Sequence, residues 1–172
     1  MTAPHPNPPP HAGEGVGGGE ERSEAISSEP PVIVVHSLAH AVGALKAAAR
    51  AGQPIVIASA KGAGVYAGPG WFRALVEESR EAVPEGRFSA LLDCADEAGA
   101  ALAAIRSGIE RVLFTGEEEL AQRLSEIARQ HGVELVRRRP KPALDLADAF
   151  FDAGESLERR VADILASAPP VC

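Results

Sequence analysis

Aromatic residues are scarce in this chain: one Trp, one Tyr and five Phe in 172 positions. A core without large rings must be assembled from Ala, Val, Leu and Ile. Cysteine is scarcer still. Cys94 and the terminal Cys172 cannot build a disulfide framework. No apolar run approaches the roughly 20 residues of a membrane-spanning helix. The opening Met-Thr-Ala-Pro-His-Pro-Asn-Pro-Pro-Pro contains no apolar segment of the secretory kind. Together these absences lead to the expectation of a cytoplasmic protein that does not enter a membrane.

A broad basic surface is also missing. The chain carries 24 acidic against 17 basic residues, a net charge of −7. Arg137, Arg138, Arg139 and Lys141 form its one basic cluster, short and interrupted by Pro140 with Pro142 after it, so nucleic acid is not an expected partner. That cluster reads as a solvated edge or a contact for the acidic tail. Lysine is rare, three residues against fourteen arginines.

Residues 1–31 are rich in Pro, Gly, Glu and Ser, a composition that buries too little apolar area to offset the entropy of ordering. A disordered tail is expected there, a single domain over 32–168, and a short C-terminal tail over 169–172. The domain opens on Val32-Ile33-Val34-Val35, a β-branched run suited to a strand covered on both faces. Ser37 can cap a helix with Leu38, Ala41, Val42, Leu45 and Ala49 at helical spacing. Ile55–Ser59 reads as a strand, and Gly62–Gly70 as a glycine-rich loop whose Pro69 suits the first turn of the next helix. Further strands are predicted at Ala90–Asp93, Arg111–Phe114 and Val133–Val136. Asp96 is a candidate cap for a helix over Glu97–Ser107, and Thr115 with Glu118 has capping-box spacing. A last helix is expected over Gly154–Ser167.

One phrase recurs at three helix-to-strand junctions, where Gly52, Gly108 and Gly132 each precede an apolar run. A glycine tolerates the left-handed stop of a helix, and a short turn then feeds the strand. Alternating strands and helices imply an α/β domain. The expected architecture is an open, mostly parallel sheet of four or five strands with helices on both faces, a Rossmann-like or flavodoxin-like three-layer sandwich. So few strands cannot close an eight-stranded barrel, which leaves a partial barrel completed by another subunit as the alternative.

Ligands of open parallel sheets bind outside the carboxyl ends of the strands. This rule selects the loops around His36–His40, Ser59–Gly70, Asp93–Asp96 and Thr115–Glu119. Lys61 could supply a point charge or a covalent amine, with Asp93 or His36 handling protons. Gly62, Gly64 and Gly68 could bring backbone amides close to an anion. They also suit an ordinary tight turn, because the spacing matches neither the P-loop nor the dinucleotide fingerprint. Tyr66 and Trp71 could wall a pocket, pack on the core or anchor a subunit interface. His40 and Cys94 are further ligand-contact candidates. His36, His40, Asp93 and Cys94 are residue types that bind metals, but their spacing is no zinc pattern and no metal is assigned. Glu117, Glu118 and Glu119 would repel an anion from the fourth loop.

Ile55–Lys61 and Ala90–Thr115 loosely resemble small β/α synthases and aldolases, whose catalytic lysines sit at strand ends. These stretches are short, and the resemblance implies no more than a strand-end position for Lys61. The expectation is a compact protein that takes a small anionic or carbonyl-containing molecule near Lys61. The alternative is a non-catalytic oligomeric or adaptor protein that uses Tyr66, Trp71 or the last helix as an interface.

Overall fold

In the computed structural model, residues 29–149, 152 and 154–167 are described. Most of the expected N-terminal tail, and all of the C-terminal one, lie outside them. Within this range the chain runs β1 (Val32–Val35), α1 (Leu38–Ala51), β2 (Ile55–Ser59), α2 (Ala63–Tyr66), α3 (Gly68–Ala82) and β3 (Phe88–Asp93). It continues as α4 (Ala98–Arg106), β4 (Arg111–Leu113), α5 (Glu118–Gln130), β5 (Glu134–Val136), β6 (Leu144–Asp145), a 3-10 turn (Ala147–Ala149) and α6 (Glu155–Ser167).

The sheet has six strands in the order β5-β4-β3-β2-β1-β6, and every adjacent pair is parallel. The α/β class and the parallel sheet are as the sequence implies. The sixth strand is an addition. β6 is two residues long and follows two prolines, too short for any periodicity to announce it. Flanking backbone bonds hold it in place, Ala143 N–H to Val32 O at 2.8 Å and Leu146 N–H to Val34 O at 3.1 Å.

Strand order sets where the connections go. From β1 to β5 the chain steps in one direction, so right-handed crossovers keep α1, α3, α4 and α5 on a common side. From β5 it returns to the far side of β1, and the connection 137–143 crosses the opposite face. Strand alternation records both faces. Ile33, Val35, Ile55, Ile57, Ala90, Leu92, Val112 and Phe114 share one buried cluster with Ala44, Leu45, Phe72, Ile105, Leu124, Leu157 and Val161 from the helices. Val32, Val34, Val56, Ala58, Leu91 and Leu113 form the second cluster, with Val136 against it. The reversal of strand order therefore lies between β1 and β6, where open parallel sheets commonly bind their ligands.

Local chemistry explains most element ends. Ser37 caps α1 by accepting the His40 N–H at 3.2 Å. Gly52, at φ 65°, ends α1, and the matching Gly108 and Gly132 are also left-handed. Small side chains let the α1 and α6 axes come close: a Cβ on Gly43 would stand 2.3 Å from Leu157 Cδ2. The Arg50–Glu158 ion pair ties the same two helices. Two expected caps are replaced. α4 starts after Glu97 rather than Asp96, and α5 after Glu117, in both cases without a side-chain capping bond. The predicted loop Gly62–Gly70 is also more ordered than expected, because it contains α2 and the start of α3.

Candidate functional site

A cavity of about 200 Å³ opens at the carboxyl ends of β2 and β3 and runs under the connection 137–143. Its floor is the second face of the sheet: Val32, Val34, Ala58, Leu91 and Leu113. Pro140 and Pro142 border it, and Ser59, Lys61, Asp93, Arg139 and Asp145 supply its polar groups.

Asp93 organises these groups. It ends β3 almost fully buried, at 2% exposure. Its Oδ1 accepts the N–H of Gly62 and of Ala95, both at 2.9 Å. Its backbone N–H donates to Ser59 Oγ at 2.9 Å, and this links the ends of β2 and β3. Oδ2 accepts no hydrogen bond and is met by the Arg139 guanidinium as an ion pair. A buried carboxylate needs such compensation. Ala95 lies at φ 50°, the left-handed region, and its N–H bond to Asp93 accompanies that strained turn.

Lys61 lies two residues beyond the end of β2 and is exposed. It differs from Arg139 in one respect: among the described residues it makes no ion pair or hydrogen bond. Asp145, by contrast, is engaged. Its Oδ1 lies 2.7 Å from His36 Nε2 and also accepts the Ala147 N–H at 3.0 Å. The structure thus brings Lys61 and Asp93 to one cavity, while His36 reaches it only through Asp145.

The other candidates lie elsewhere. His40 is fully buried, with its Nδ1 accepting the His36 N–H at 3.3 Å and its Nε2 3.2 Å from Ala149 O. That pairing places the proton on Nε2, and burial lowers its pKa from the usual imidazole value. Cys94 belongs to the helix-side core, and burial followed by the nearby Asp93 charge pushes its thiol up to about 12. A thiol so placed is a packing group, not a nucleophile. Gly64 lies against it: a Cβ there would stand 2.5 Å from Cys94 Sγ. The Gly62 N–H is spent on Asp93, and those of Ala63, Val65, Tyr66 and Ala67 bond to carbonyls of the same turn. Gly68, at φ 84°, begins α3. Tyr66 and Trp71 point outward at 70% and 38% exposure, away from the cavity lining. Among the described residues no group of three or more His, Cys, Asp or Glu is placed to hold a metal ion.

Arg139 escaped the sequence reading as a site residue. The run Arg137–Lys141 resembles a solvated edge, and only the fold directs its members differently. Arg137 turns back to donate to Phe114 O and Gly116 O and lies 5.3 Å over the Phe114 ring. Arg139 turns under the sheet to Asp93.

No protein-family model matches the chain. No curated protein matches it either. Among solved structures it is similar to a protein from Coccidioides immitis assigned as a fructose-1,6-biphosphate aldolase, with a TM-score of 0.51 and 17% identity. The likeness covers 62% of this chain and 44% of that one. The match is one of fold, and fold does not carry chemistry. Among the described residues, no helix is long and apolar enough to cross a membrane.

Proposed function

We propose that this protein binds a small anionic or carbonyl-containing molecule in the cavity beside Lys61. The observation that carries the reading is the ammonium of Lys61, which among the described residues makes no ion pair or hydrogen bond, at the mouth of a cavity whose other charged groups, Asp93, Arg139 and Asp145, all have partners. The cavity extends from the ends of β2 and β3 to Asp145 of β6, beside the β1–β6 reversal of strand order, and this supports the same reading. At about 200 Å³ the cavity is smaller than the roughly 300–1,000 Å³ of drug-sized sites, which favours a ligand of a few non-hydrogen atoms.

Two modes of engagement follow for Lys61. As an ammonium it pairs with a carboxylate or phosphate. As a free amine it adds to a carbonyl carbon and expels water to form an imine, with Asp93 or His36, through Asp145, as the candidate proton carriers. Borohydride separates the two, because it reduces an imine to a stable secondary amine. Incubation of the full chain with small aldehydes and ketones plus borohydride, followed by peptide mass mapping, should find the added mass on Lys61 if the carbonyl mode operates. Titration with small anions followed by amide NMR shifts tests the ionic mode. If neither labels nor shifts the residues around Lys61, the reading fails.

Exposed Val65, Tyr66 and Trp71 along α2 and the start of α3 favour a second reading, a non-catalytic contact surface for another protein or a second copy. Strict monomers in light scattering, with an unchanged Trp71 fluorescence maximum on concentration, would count against the self-associating form.

A further inference from the structure

We infer that the ligand of this cavity is an aliphatic monocarboxylate, its head at Lys61 and its chain along the second face of the sheet; this rests on the proposed binding role of the same cavity. The argument begins with how unevenly polarity is distributed. Val32, Val34, Ala58, Leu91 and Leu113 give the floor five aliphatic side chains. Pro140 and Pro142 add apolar rings and lack backbone N–H donors. Along this length the wall offers little to a hydroxylated or multiply charged body, whose polar groups would be buried without partners.

All the charged groups sit toward one end, where β2 and β3 finish and β6 lies beside β1. There Asp93 pairs with Arg139, and Asp145 accepts a hydrogen bond from the His36 ring. Among the described residues Lys61 is the charged group of the lining that makes no ion pair or hydrogen bond, and its single ammonium suits a single carboxylate. A phosphate dianion normally draws on a cradle of backbone amides as well, and the turn from Gly62 to Ala67 has largely spent its own on internal bonds. A carboxylate requires only the ammonium, and the Ser59 hydroxyl is already engaged by Ala60 O and the Asp93 N–H. The small volume then limits the chain to a short one.

A chain-length series of straight-chain carboxylates from acetate to octanoate tests this, with inorganic phosphate and dihydroxyacetone as comparison ligands. Binding to the full chain is followed by amide and methyl NMR shifts. Each methylene that enters an apolar cavity improves affinity by about three- to fourfold, so Kd should fall in steps of that size and then level or rise once the chain outgrows the cavity. The methyl signals of Leu91, Leu113 and Val34 should shift progressively along the series. Lys61→Ala, at an exposed position that leaves the core intact, should weaken each carboxylate by about fivefold without altering the ratio between successive lengths. If phosphate or dihydroxyacetone binds beside Lys61 and the carboxylates show no dependence on length, the ligand class is overturned while the binding role survives. If none of these ligands shifts the cavity residues, both are overturned.

Discussion

Replacing Gly64 by Ala adds a single methyl group at the contact between α2 and the end of β3. The ideal Cβ would stand 2.5 Å from Cys94 Sγ, 3.1 Å from Asp93 O and 3.3 Å from Cys94 Cα. Two of those three atoms are backbone, and Cys94 is fully buried, so a side-chain rotation cannot open the space. Overpacking of this kind costs about 1–3 kcal/mol. Helix propensity returns at most about 1 kcal/mol, and less in a helix of four residues. The expected result is a net loss of about 1–2 kcal/mol. Urea unfolding followed by circular dichroism measures it as a lower midpoint at unchanged slope. Cys94→Ala alone removes a buried sulfur and costs about 1 kcal/mol. Combined with Gly64→Ala it also removes the tightest contact, so the double variant should be more stable than the two losses together predict, by about 0.5–1 kcal/mol. The backbone contacts to Asp93 O and Cys94 Cα prevent full rescue. A neutral Gly64→Ala, or strict additivity in the cycle, would refute the account of how α2 is seated. The seating bears on the site as well, because the Gly62 N–H that opens α2 is bonded to Asp93.

Gly43→Ala should destabilise by no more than about 1 kcal/mol in the same assay, because the new Cβ meets the buried Leu157 side chain while helix propensity in the middle of α1 returns up to about 1 kcal/mol. Arg139→Met leaves the buried Asp93 carboxylate without its ion-pair partner; the cost should be about 1–3 kcal/mol, below the 3–5 kcal/mol typical of fully buried pairs because Arg139 is partly exposed, and thermal unfolding would record it. Cys94 should resist thiol reagents in the native protein at neutral pH and react once urea unfolds it; fast labelling of that residue in the folded state would contradict its burial and raised pKa. His40 is held neutral in the fold, with a pKa below its unfolded value of about 6.5. The unfolded chain therefore binds more protons in the interval between the two, and this contribution to stability is complete above about pH 6.5 and declines as the pH falls toward the lowered value. Urea midpoints across that interval should fall for the parent, and His40→Gln should reduce the slope.

The sequence by itself determined the repeating unit. Three glycines placed before apolar runs, a serine cap on α1 and alternating β-branched strands encode structure within a few residues, which is the range over which backbone conformation and hydrophobic periodicity act. Asp93 and Lys61 could be singled out for the same reason, since one ends a readable strand and the other lies two residues beyond one. Tertiary structure decided the rest. Strand order depends on which strands the crossovers bring together, and nothing local to β6, two residues after a proline pair, announces that it lies beside β1. Arg137 and Arg139 are alike in sequence and separate only when one faces the carbonyls of Phe114 and Gly116 and the other reaches buried Asp93. His36 and Asp145 are 109 residues apart and meet only because β1 and β6 are neighbours. Burial, charge compensation and the shape of a cavity are sums over residues distant in the chain, and only the folded chain performs that sum.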